Sequence, residues 1–254
     1  MAKEKLYTIP LNDAVNAGDE CPFCFIERKI EQDLMDFVLG SGSSYMEADI
    51  RDMTDRAGFC RAHFKKMFDY GNTLGNAWIL KTHYMRVLGE MKKQFSSYAP
   101  VKMSFKDKLL GPNDKVNPVS KWVDKQKCSC YICNHFEEDY DRYLDTFMIM
   151  YGKDSDFKNR ILNSKGFCLS HFGDLCEYAE VHMKESEKKP FFDSMFKLMT
   201  ENMERVSEDV AWMVEMFDYK NQGADWKNSK DAIQRGMQKM KGGYPADPVY
   251  KAAK

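Results

Sequence analysis

Apolar side chains recur through most of this chain at intervals of three and four, the spacing of one face of an α-helix. Ile26, Ile30, Leu34 and Phe37 form one such stripe, ended by Gly40 to Ser44. Residues 45–57 read as a second helix and 60–70 as a third, with Gly58 and Gly71 as stops. A long fourth helix carries Leu74, Trp78, Met85, Leu88 and Phe95 as its expected core stripe. The plan then returns. Phe136, Tyr140, Leu144 and Phe147 mark a helix, 154–164 a second, and 171–179 aligns with 63–71. In the closing helix Phe192, Met195, Met199, Met203, Val206, Val210, Met213 and Phe217 approach a heptad seam, with Pro190 expected in its first turn. No alternating run is bounded by hairpin signals, so the fold class is all-α.

The pattern divides the chain. Residues 1–20 read as an irregular lead-in, punctuated by Pro10 and Gly18. Two tandem helical lobes, 1–99 and 128–220, flank a connection at 100–127 that holds Pro112, Pro118 and one short helical piece around 105–110. Residues 221–254 turn polar and basic and read as a solvated tail.

The candidate chemistry lies on the same repeat. Cys21-Pro22-Phe23-Cys24 precedes Gly58-Phe59-Cys60-Arg61-Ala62-His63, and Cys130-Tyr131-Ile132-Cys133 precedes Gly166-Phe167-Cys168-Leu169-Ser170-His171. The gap from knuckle to third cysteine is 36 positions in the first copy and 35 in the second. A Cys-x-x-Cys turn offers two thiolates to one ion, and a Cys-x-x-His step at a helix start offers a third sulfur and an imidazole on one face. Each lobe is therefore expected to be built around its own Cys3His metal site: Cys21, Cys24, Cys60 and His63 in one, Cys130, Cys133, Cys168 and His171 in the other. Zinc, two ions per chain, is the default metal, and an iron–sulfur cluster is the alternative. A redox dithiol is suggested by the Cys-Pro-x-Cys form, but the surrounding βαβ pattern is missing and Tyr131 replaces the proline in the second copy. Covalent haem attachment fails because Asn134 separates Cys133 from His135.

Other residues are assigned more ordinary places. Cys128 is a spare thiol beside the second knuckle, and Cys176 aligns with Phe68 as a core residue. Asp69 and Glu177 follow the motif histidines by six positions and read as surface carboxylates, or as support for the sites. His83, His135 and His182 lie outside the frame. No catalytic motif is recognisable and no catalytic residue is assigned, so a non-enzymatic role is favoured.

Charge changes the picture little. The 254 residues carry 38 basic and 39 acidic side chains, a net charge of -1, which gives no reason to expect nucleic acid or an anionic membrane as partner. No apolar run reaches membrane-spanning length and the first residues lack a signal-peptide core, so a cytoplasmic protein is expected. Eighteen methionines and seventeen phenylalanines point to adaptable apolar surfaces. The expected partner is a protein or a small apolar ligand, with a homo-oligomer through the Met-rich helix 191–217 as a further possibility.

The paired Cys-Pro-x-Cys and Gly-Phe-Cys-x-x-His-Phe elements resemble an uncharacterised bacterial family, domain of unknown function 6062, over roughly residues 21–219. The resemblance implies a bacterial cytosolic protein with paired Cys/His motifs and supplies no activity.

Overall fold

The computed structural model describes residues 2–42, 44–100, 102, 105 and 117–251. Among them lie eleven α-helices, three short 3-10 turns and no strand. In chain order the helices are α1 (Ala2–Asn16), α2 (Pro22–Leu39), α3 (Ala48–Ala57), α4 (Arg61–Tyr70), α5 (Thr73–Ser96), α6 (Pro118–Cys128), α7 (Tyr131–Lys153), α8 (Ser155–Leu162), α9 (Leu169–His182), α10 (Glu185–Glu215) and α11 (Ala232–Lys241). The helical piece expected at 105–110 lies, apart from Phe105, outside the described residues.

Two compact units share the chain, and neither coincides with a sequence repeat. The first comprises Met1–Ile30 and Glu138–Pro248, the second Glu31–Glu137 and Val249–Lys254. Two of the three boundaries fall inside helices, α2 and α7, and the third lies between Pro248 and Val249.

The core of the first unit is aromatic. The Phe23 ring centroid lies 5.5 Å from Phe147 and 6.1 Å from Phe167, Phe147 meets Phe157 edge-on at 5.6 Å, and Tyr151 meets Phe191 at 5.2 Å. Offset and edge-on contacts of this kind add to the burial of large rings. The lead-in is a helix rather than irregular. Leu11 and Ala14 of α1 are buried, and Arg160 of α8 donates to the side chains of Asn12 and Asn16. The seam on α10 is buried at Met195, Met199 and Val206, while Phe217 beyond its end is 77% exposed. Pro190 sits inside α10, beyond its first turn.

The solvated tail expected at 221–254 is instead part of the architecture. Helix α11 packs against α9 and α10. It buries Ala232, Arg235, Gln238 and Lys239. The Lys239 ammonium is 1% exposed and donates to the carbonyls of Glu20 (2.6 Å), Lys165 and Phe167, with the Glu20 carboxylate 3.2 Å away. Burial pushes the Lys239 pKa down against the pull of Glu20. Arg205 also pairs with Glu20, and Arg235 bridges Asp209 and Asp231. Composition made this segment read as solvated because its burial relies on paired charges.

The second unit has a conventional apolar core. Met35, Leu39, Phe59, Met67, Ile79 and Ile132 pack in one cluster, joined by Tyr250 from the C-terminal end. Helices α3 and α5 are tied by Thr82, which donates to Asp55 (2.6 Å), and by His83 Nδ1, 3.0 Å from the Asp55 carbonyl. Asn72 caps α5 by accepting from the Gly75 amide at 2.9 Å. The stripe read from α5 is not its buried face. Leu74, Met85, Leu88 and Phe95 are exposed, and Ile79 with Gly75 faces the core.

Candidate metal centres

Each motif is set by local backbone chemistry. Cys60 and Cys168 are the residues immediately before α4 and α9, in extended conformation, so the next turn of helix carries His63 and His171 back over their sulfurs. The Cys168 sulfur also receives the His171 amide at 3.5 Å, as Cys130 receives that of Cys133. Gly58, at φ 60° and ψ −158°, reverses the chain just before the first of these steps. That backbone region is essentially reserved for glycine.

The four half-sites combine across the repeats. Cys21, Cys24, Cys168 and His171 form one group, within the first unit, and Cys60, His63, Cys130 and Cys133 form the other, within the second. All eight candidate ligands are brought together, but each knuckle joins the Cys-x-x-His step of the other copy. The expected pairing within each lobe is therefore corrected: no site is completed by one repeat. Spacing along the chain carries no information on this point, because a knuckle and a step are equally compatible in either combination.

The geometry suits a single ion. In the first group His171 Nδ1 lies 3.3 Å from Cys21 Sγ, 3.6 Å from Cys24 Sγ and 3.1 Å from Cys168 Sγ. In the second, His63 Nδ1 lies 3.2 Å from both Cys60 and Cys130 and 3.4 Å from Cys133. A tetrahedron with metal–sulfur bonds of about 2.3 Å and metal–nitrogen bonds of about 2.0–2.1 Å has nitrogen–sulfur edges near 3.6 Å. Within each group the four ligand atoms lie inside 4.8 Å of one another, so each could hold a metal ion.

The imidazoles are oriented from behind. With Nδ1 turned to the sulfurs, His171 Nε2 meets Glu27 at 3.1 Å and His63 Nε2 meets Glu31 at 3.2 Å. A carboxylate on the far nitrogen fixes the tautomer and strengthens the ligand. Lys66 and Tyr250 also donate to Glu31. Burial pushes the Glu31 carboxyl up, but His63, Lys66 and Tyr250 bring it down to about 2. Burial disfavours the charged imidazoles too, yet the neighbouring thiolates and carboxylates raise His63 to about 9 and His171 to about 12.

Glu27 and Glu31 escaped the reading of the sequence, although a signal exists. They follow Cys24 by three and seven positions, on the cysteine face of α2. The second copy has Phe136 and Tyr140 at the matching positions. The Tyr140 ring lies 5.7 Å from the His171 ring, and its hydroxyl donates to Asp174. Asp69 pairs with Lys65 and Glu177 is exposed, so neither supports a site. Cys128 is exposed and Cys176 half-buried, both outside the two groups. His83 packs beneath Gly58, and His182 stacks on Tyr178.

A family model described as "Family of unknown function (DUF6062)" matches residues 2–247. The chain belongs to this family. Membership in DUF6062 extends beyond the two motif regions to α1 and α11, so the match spans both units. Comparisons with curated proteins and with solved structures return no match. Among the described residues no helix is long and apolar enough to cross a membrane.

Proposed function

We propose that this DUF6062 member is a zinc protein holding two structural ions, through Cys21, Cys24, Cys168 and His171 and through Cys60, His63, Cys130 and Cys133. The observation that carries the reading is the convergence of three sulfurs and one Nδ1 inside 4.8 Å, twice, with a glutamate behind each imidazole. Four protein ligands per ion leave no position for a substrate or activated water, which favours a structural over a catalytic role. The same compactness disfavours an iron–sulfur cluster, whose ligands are spread over more than one iron. Elemental analysis of freshly purified protein, with an absorption spectrum, tests this. Two zinc ions in a colourless protein are expected, and iron with visible absorption overturns it.

The framework held by these ions serves, in this reading, to bind a small apolar ligand. Support comes from a cavity of about 880 Å³ in the first unit, lined by Met203, Val206, Val210, Ile233, Met237 and Met240 of α10 and α11. Its volume lies in the range of about 300–1,000 Å³ usual for ligand sites. Enhanced fluorescence of an anilinonaphthalene probe, abolished by Met237→Asp with zinc content unchanged, is the expected result. Equal fluorescence from the variant removes the cavity from the proposal.

A further inference from the structure

The two metal groups differ in their access to solvent. Cys21, Cys24, Cys168 and His171 are all buried. The backbone turn at Gly242 closes over them: a Cβ there would lie 3.5 Å from Cys168 Sγ and 3.9 Å from Cys24 Sγ. The Phe23 and Tyr140 rings stand 5.9 and 5.7 Å from the His171 ring. In the second unit Cys130 and His63 are buried, but Cys60 and Cys133 are only half-buried. Their sulfurs are 3.9 Å apart, and exposed Arg61 and Asn134 follow them in the chain. A thiolate's oxidation depends on its access as well as its charge. From this asymmetry, and resting on the zinc reading above, we infer that Cys60 and Cys133 form a peroxide-sensitive pair that releases the second unit's zinc, while the first unit's ion is retained.

The step balances without a further co-reactant. One zinc-bound thiolate attacks an oxygen of hydrogen peroxide, the O–O bond breaks, and a sulfenic acid and hydroxide result. The other thiolate attacks that sulfur, the S–S bond forms, and a second hydroxide leaves. Two solvent protons convert both hydroxides to water. The two thiolates supply the two electrons that reduce the peroxide. An ion held there would lose the Cys60 and Cys133 thiolates from its four ligands, with no change of its own oxidation state.

The test uses the full chain after its zinc content has been measured. Fewer than two ions at this stage defeats the zinc reading, and the inference falls with it before any peroxide is added. With both ions present, peroxide is expected to release about one ion per chain to a chromophoric chelator. Peptide mass spectrometry is expected to find a Cys60–Cys133 disulfide, with Cys21, Cys24 and Cys168 still reduced. Dithiothreitol with added zinc should restore the second ion. Release of both ions together, release of neither, or a disulfide within the first group overturns the inference. Cys128→Ser leaves the ligand set whole and should release its zinc as the parent does. A variant that no longer responds would place the reactive thiol at Cys128 and defeat the proposed pair.

Discussion

At the scale of single residues, the glutamates behind the imidazoles give the sharpest expectations. Glu27→Gln and Glu31→Gln keep side-chain shape and remove the charge that orients His171 and His63. Each should weaken zinc binding at its own site by about 10–100-fold, read by chelator competition, and leave the other site unchanged. Glu31 adds a pH dependence in the metal-free protein. Its folded pKa of about 2 lies below the unconstrained value of 4.5. Its contribution to stability is therefore present above about pH 4.5 and is lost as pH falls through about 2. The urea midpoint of metal-free Glu31→Gln should fall less steeply over that window than the parent's. Gly58→Ala should destabilise the second unit by about 1–3 kcal/mol in denaturant titration, since its backbone region costs that much for other residues. A Cβ there would also lie 2.8 Å from the His83 ring.

At the scale of elements, the division between what could and could not be read follows the source of burial. Helices α2, α4, α7 and α9 were legible because motif cysteines, glycine stops and apolar stripes agree along them. Helix α1 was not, since Pro10 reads as a breaker although it lies inside the helix, and only Leu11 and Ala14 give it buried aliphatic anchors. On α5 the bulky residues suggested one face, but the polar ties through Thr82 and His83 turn Ile79 inward instead. Helix α11 was hidden by Lys239 and Arg235, which are buried only because Glu20, Asp209 and Asp231 meet them. Removal of residues 226–254 takes away α11 and leaves the buried Glu20 carboxylate without Lys239, paired with Arg205 alone. Loss of a partner from such a buried network costs about 3–5 kcal/mol. The truncated chain is expected to lose the first unit's ion, seen as a fall in zinc content together with a lower melting temperature.

At the scale of the whole molecule, the crossed pairing of motifs makes an unusual prediction about double variants. Cys21→Ser with Cys168→Ser disables one group and should leave about one zinc ion per chain, since metal affinity depends on the complete ligand set. Cys21→Ser with Cys60→Ser disables both and should leave none, although both residues belong to the same repeat. Pairing within repeats reverses the two results, so elemental analysis of these variants decides the arrangement directly. The eight Cys and His positions that gather into two groups were legible from spacing. Their partnership was not, because it depends on how α2 and α7 contribute to units drawn from both copies.

The same crossing has a consequence for the isolated repeat. A single copy carries one knuckle and one Cys-x-x-His step that do not meet each other in this chain. Expressed alone, a copy that keeps the pairing seen here would complete its coordination by exchanging halves with a second copy, giving a symmetric pair with two intersubunit ions. The chain is, in this respect, a covalently joined form of an exchanged dimer. Joining the copies replaces a concentration-dependent association with an intramolecular one, so its metal occupancy should not fall on dilution as that of two separate repeats would.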